Sequence, residues 1–123
     1  MPHLTVEYTD NIRNFDCERL LAEMVHSLAE TPHFEEIDIK SRAVSLSVYR
    51  VGEHAETRGF VHVRLAILSG RSPDVKAELS AGLLEVLRLQ VPSGTDLELQ
   101  LCVEIQDIDR ASYAKTAIGG DGP

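Results

Sequence analysis

Polar and apolar residues alternate from the start of the chain. In His3-Leu4-Thr5-Val6-Glu7-Tyr8 the apolar Leu4 and Val6 share one side, which predicts a half-buried strand. Thr9-Asp10-Asn11 reads as a turn. The period then changes. Leu20, Leu21, Met24, Val25 and Leu28 form a helical stripe, Asp16 stands at its N-cap position, and the helix runs to about Ala29 before Pro32 closes the segment. A second strand is predicted over Ile37 to Val51, with Val44, Leu46 and Val48 on one face. Gly52 to Thr57 is a polar loop, and a third strand over Phe60 to Leu68 places Val61, Val63, Leu65 and Ile67 together. Ser72, Pro73 and Asp74 carry the marks of a helix start: a capping hydroxyl, a proline at the first helical position and an acid in the first turn. That second helix turns Val75, Leu79, Leu83, Val86 and Leu87 inward and ends near Pro92-Ser93-Gly94. A fourth strand, Leu97 to Ile105, alternates Leu97, Leu99, Leu101, Val103 and Ile105 with polar neighbours.

The order is strand-helix-strand, twice. This predicts an α+β fold in which tandem βαβ units, about 1–51 and 59–106, form one four-stranded sheet with two helices on one face. Each crossover is expected to join parallel strands. Residues 1–123 read as a single domain, with a tail from about 115 to 123 whose composition is that of a flexible segment. The sheet face without helices holds His62, Arg64, Glu98, Gln100 and Glu104. A face this mixed either meets water or meets other subunits.

Composition narrows the field of functions. A chain of 123 residues is large enough for a real core. Its net charge of −8 argues against nucleic acid as a partner, and any anion site must be local, built from a few placed cations. No apolar run approaches the roughly 20 residues that a membrane-spanning helix requires, and no signal peptide is expected ahead of the first strand. Cys17 and Cys102 belong to no CxxC pair; both read as small core residues, and a reduced, cytoplasmic setting fits them. No His or Cys spacing suits a metal, and no glycine-rich phosphate loop is present, so neither metal nor cofactor is expected.

Pro2 is the residue with most chemical potential. Initiator methionine is usually removed before a small second residue, which leaves Pro2 with a free secondary amine. An α-amino group titrates near ~7.7–8.0, and burial or nearby cations lower it. A neutral amine fixed at the start of a strand is a ready general base. Proline also suits the first residue of a strand for a purely structural reason, since that position needs no ladder donor.

Further along, Met1-Pro2-His3, Asp10-Asn11-Ile12-Arg13, Lys40-Ser41-Arg42, Phe60-Val61-His62-Val63 and Gly70-Arg71-Ser72 occur in an order and spacing that resembles the tautomerase superfamily, and within it the 5-carboxymethyl-2-hydroxymuconate isomerase family. The second half alone is also similar to 4-oxalocrotonate tautomerase. The resemblance implies a homotrimer of tandem βαβ units. It implies no cofactor, Pro2 as the base that shuttles a proton along a conjugated enol or dienol acid, and Arg71 as a ligand of the substrate carboxylates. A second cationic ligand falls on Lys40 or Arg42. The family pattern there reads Arg-Ser-Arg, and a lysine at position 40 is a point charge that cannot form the bidentate fork of an arginine.

The expected function is therefore a cofactor-independent isomerase or tautomerase. It would move a proton within a small unsaturated 2-hydroxy or 2-oxo di- or tricarboxylate, in the catabolism of aromatic acids. Two alternatives stand beside it. One is another proline-based activity on the same fold: a phenylpyruvate-type tautomerase, a hydratase or a dehalogenase. The other is a non-catalytic trimeric ligand-binding or interaction protein.

Overall fold

The computed structural model describes residues 1–120; positions 121–123 of the expected tail lie outside the described residues. Four strands form one sheet in the order β2-β1-β3-β4: β1 His3–Thr9, β2 Lys40–Leu46, β3 Arg58–Leu68 and β4 Glu98–Ile108. Helices α1 (Cys17–Ala29) and α2 (Pro73–Gln90) make the two crossovers. The strand pairs they join, β1 with β2 and β3 with β4, are parallel, as expected. The sheet as a whole is mixed, because β1 and β3 at its centre run antiparallel.

Local chemistry sets the helix ends. The Asp16 side chain accepts from the Arg19 amide at 3.0 Å, and Ser72 Oγ accepts from the Val75 amide at 3.2 Å. Each satisfies a backbone donor that the first helical turn leaves unpaired. The alternation of β3 is complete: Val61, Val63, Leu65 and Ile67 are all buried. They pack with Leu4 and Val6 of β1 against Leu20, Met24 and Leu28 of α1 and Leu79, Leu83 and Leu87 of α2. Burying large apolar side chains in this way contributes about 1.5–3 kcal/mol each.

The second strand departs from the sequence reading. It occupies Lys40–Leu46, preceded by a 3₁₀ turn at Glu36–Asp38, and does not run from Ile37 to Val51. An edge strand extends only as far as its partner, and β1 offers seven residues, His3 to Thr9, paired with Lys40 to Leu46. Val44 and Leu46 lie across from Glu7 and Thr9 on the face away from the helices, and Val48 is 93% exposed. The residues turned toward α1 are instead Ile39 and Ala43. The fourth strand errs the other way. It continues past Ile105 to Ile108 because β3 supplies eleven partners. Cys102, expected in the core, is exposed opposite His62 on the open face; Cys17 is half-buried.

The open face carries His62, Arg64, Glu98, Gln100 and Glu104, as anticipated, and His62 Nε2 lies 3.1 Å from Glu104 Oε1. At the far end of the sheet, Gly59 is held in a tight fit. A Cβ there would stand 2.6 Å from Thr9 Oγ1 and 2.9 Å from Leu99 Cδ2. Thr9 is fully buried and its hydroxyl accepts from the Phe60 amide. Gly59→Ala is expected to destabilise the fold by about 1–3 kcal/mol, the usual cost of overpacking. A thermal melt of the variant, showing a lower Tm with secondary structure retained, checks this.

Candidate active site at the N-terminal end of the sheet

The mixed topology decides which residues meet. Parallel pairing puts the starts of β1 and β2 side by side, and His3 faces Lys40. Antiparallel pairing brings the end of β3 to the same edge, since His3 also faces Ala66. β4 ends there too, with Ile108 across from Leu68. Four stretches far apart in sequence converge: Pro2, the loop into β2, the β3–α2 turn, and the segment after β4.

Pro2 is buried, and its carbonyl accepts from the Lys40 amide at 3.0 Å, which extends the ladder to the first residues of the chain. Gly70, with φ of +122°, makes the turn that delivers Arg71. Arg71 is fixed twice. Its guanidinium donates to the His33 carbonyl at 2.8 Å and lies 4.9 Å from the centre of the Phe34 ring. Lys40 Nζ donates to the Asp38 carbonyl. Lys115 Nζ reaches the Asp38 carboxylate at 2.9 Å, and this ion pair holds the Asp38 carboxyl below its ordinary range.

These charges act on the chain's own amine. The α-amino group of Met1 titrates below its usual value, first because burial disfavours its charged form. Asp38 opposes the shift, while Lys40, Lys115 and Arg71 add to it. Lys40 is itself pushed down, chiefly by desolvation and then by Lys115.

Arg42 stands two residues along β2, across from Thr5. Its guanidinium donates to His3 Nδ1 at 3.0 Å. A guanidinium has no acceptor, so Nδ1 must be the acceptor, the other ring nitrogen carries the hydrogen, and His3 Nε2 donates to Tyr113 Oη at 3.0 Å. Burial, then Lys40 and Arg42, lower the His3 pKa and keep the ring neutral. Of the residues singled out in the sequence, the structure thus brings Pro2, Lys40 and Arg71 into one cluster and engages Arg42 with His3 beside it. Asp38, His33, Phe34, Tyr113 and Lys115 share this end and carried no signal of spacing. Among the described residues no group of His, Cys, Asp or Glu could hold a metal ion, and no helix is long and apolar enough to cross a membrane.

This architecture, a mixed four-stranded sheet with two helices on one face, is that of the tautomerase superfamily. It superposes on a fused 4-OT symmetric trimer with a TM-score of 0.70 at 17% identity, covering 92% of this chain and 90% of the other. A crystal structure of a 5-carboxymethyl-2-hydroxymuconate isomerase from Deinococcus radiodurans R1 matches with a TM-score of 0.87 at 35% identity, over 94% of this chain and 88% of that one. The 5-carboxymethyl-2-hydroxymuconate Delta-isomerase of Escherichia coli is 29% identical over 110 residues, 88% of this chain and 87% of the relative. The family model for 5-carboxymethyl-2-hydroxymuconate isomerase matches residues 2–119. The chain belongs to that family, and it is an isomerase.

Proposed function

We propose that the chain, once Met1 is removed, uses the Pro2 amine as the general base of a cofactor-independent proton shift. The substrate is a small unsaturated 2-hydroxy or 2-oxo di- or tricarboxylate of the 5-carboxymethyl-2-hydroxymuconate kind. The observation that carries this reading is the burial of Pro2 at the sheet end where Lys40, bonded to its carbonyl, Lys115 and Arg71 are gathered with Asp38. Burial is the first cause that lowers the Met1 amine, with Lys40, Lys115 and Arg71 adding to it against Asp38, and Pro2 is the more deeply buried of the two residues. A secondary amine there is neutral in a larger share of molecules at neutral pH, which is the form that accepts a proton.

The chemistry is conservative in atoms. The Pro2 nitrogen takes a proton from one position of the conjugated acid, and negative charge develops along the dienolate. Arg71 and Lys40 stabilise that charge through the carboxylate groups, most strongly where water is excluded. The prolinium then returns the proton to another carbon of the same molecule. Such a reaction, in aromatic-acid breakdown, suits a cytoplasmic enzyme. Intact mass measured together with an ultraviolet assay on a panel of enol acids tests the reading. Turnover is expected for carboxylated dienols in the Met1-free protein alone, and a panel with no turnover overturns it.

The same reading includes a homotrimer. The open face mixes Val44, Phe60 and Leu68 with His62, Arg64 and Glu104, a composition suited to burial against a partner's hydrogen-bonding groups. Activity and trimer are expected to disappear together on dilution. Light scattering that shows a fully active monomer contradicts this.

A further inference from the structure

The segment after β4 has a defined path, of which the proton shift described above uses only the charge of Lys115. Arg110 donates through Nε to the Ser69 carbonyl, beside the turn that carries Arg71. A 3₁₀ turn at Arg110–Ser112 follows, with Ser112 Oγ donating to the Asp109 carboxylate at 2.9 Å. Tyr113 then meets His3, and Lys115 meets Asp38. The segment is a strap, fastened at the Arg71 turn, at β1 and at the entry to β2.

The strap changes the charge pattern at the site. Arg71 forms one cationic pole, held by His33 and Phe34. Lys40 and Lys115 form a second, because both ammonium groups meet at Asp38, one on its carbonyl and the other on its carboxylate. Lys115 pairs with the Asp38 carboxylate, and Lys40 and Arg71, both held on backbone carbonyls, leave a local excess of positive charge that suits a dianionic ligand, inside a chain whose net charge is −8. A single ammonium holds a carboxylate at one point, and two of them supply the two-point hold that a guanidinium fork would give.

We propose that Lys115 is a substrate-binding residue: with Lys40 it takes the second carboxylate of a linear dicarboxylate whose first carboxylate lies on Arg71, and Asp38 is the resident counter-ion that keeps the Lys115 ammonium in place between turnovers. The proposal rests on the Pro2 site being the active site, and it names the residue that makes that site select two carboxylates over one.

The experiment measures binding apart from turnover. Calorimetry of the Met1-free protein with cis,cis-muconate, a six-carbon dicarboxylate, reads the affinity directly. Kinetics on a dicarboxylate dienol and on a monocarboxylate enol such as enol-phenylpyruvate read the selectivity. Lys115→Met keeps the length of the side chain and removes its charge. It is expected to weaken muconate binding about tenfold and to raise KM for the dicarboxylate by a similar factor. Its kcat/KM for the monocarboxylate should fall by a smaller factor, set by the loss of the Lys115 charge near the amine, and Lys115→Arg should restore both sets of values. A melting curve confirms that each variant is folded. Charge-dependent muconate binding in a protein with no turnover leaves Lys115 as a residue that binds dicarboxylates and overturns the Pro2 reading. Muconate binding that is absent in the unsubstituted protein, unchanged in Lys115→Met, or accompanied by an equal loss on both substrates overturns the role of Lys115.

Discussion

A preparation that retains Met1 is expected to be inactive. In that protein the Pro2 nitrogen is a tertiary amide, without a basic lone pair and without a proton to return. General acid–base groups contribute typically about 10²–10⁴-fold to a rate, and a loss of at least that size is expected. Pro2→Ala, with Met1 again removed, keeps an amine at the chain start but replaces the ring-fixed secondary amine with a free primary one. It should retain a minor part of the rate. Pro2 sits at the end of a rigid ladder, its carbonyl bonded to the Lys40 amide at 3.0 Å, and the ring adds the last constraint on the direction of its nitrogen. Mass spectrometry on the assayed sample is essential, because partial processing would mix the two species. Equal activity with and without Met1 would sink the proposed mechanism.

Arg71→Ala is expected to lower kcat/KM on carboxylate substrates by about 2–4 kcal/mol of transition-state stabilisation. That corresponds to roughly 30- to 1,000-fold. The side chain is half-buried, clamped to the His33 carbonyl and stacked on Phe34, so it reaches the transition state already oriented. Truncation also frees the loop that leads into β2, and a melting curve separates that effect from the kinetic one. Lys40→Ala should cost more than Arg42→Ala. Lys40 stands with Arg71 and Lys115 around the N-terminal amine, whereas Arg42 is spent on the acceptor nitrogen of His3. If all three variants keep the kinetics of the unsubstituted chain, the site lies elsewhere.

Much of the fold was legible in the sequence because its strongest signals are local. The helix starts at Asp16 and Ser72 follow from capping chemistry, and the buried run of β3 follows from strict alternation. The limits of β2 were not legible. Val44, Leu46 and Val48 alternate well enough to suggest a core face, yet a strand's extent is set by its neighbour, and β1 stops at Thr9. The antiparallel centre of the sheet was not legible either, since each βαβ unit constrains only its own pair. That pairing is what gathers the site. Pro2 and Arg71 were visible through their positions within motifs. Lys115 was hidden in a stretch whose composition suggests a loose tail, and only the strap's bonds to Ser69, His3 and Asp38 place it beside Lys40. Asp38 was hidden for the opposite reason, as one acid among twenty in an acidic chain.

The central claim is that a neutral Pro2 amine takes the proton, and its most direct test is titration of that nitrogen. The Met1-free protein, labelled with ¹⁵N-proline, gives the Pro2 amine resonance as a function of pH, and kcat/KM is measured over the same range. An amine depressed by burial and by surrounding cations is protonated, and so silent as a base, only at pH values below its lowered pKa. The account predicts a midpoint clearly under the ordinary α-amino range of about 7.7–8.0, coinciding with the acidic limb of the rate profile. A midpoint at or above that range, or an acidic limb that does not follow the Pro2 titration, would contradict it.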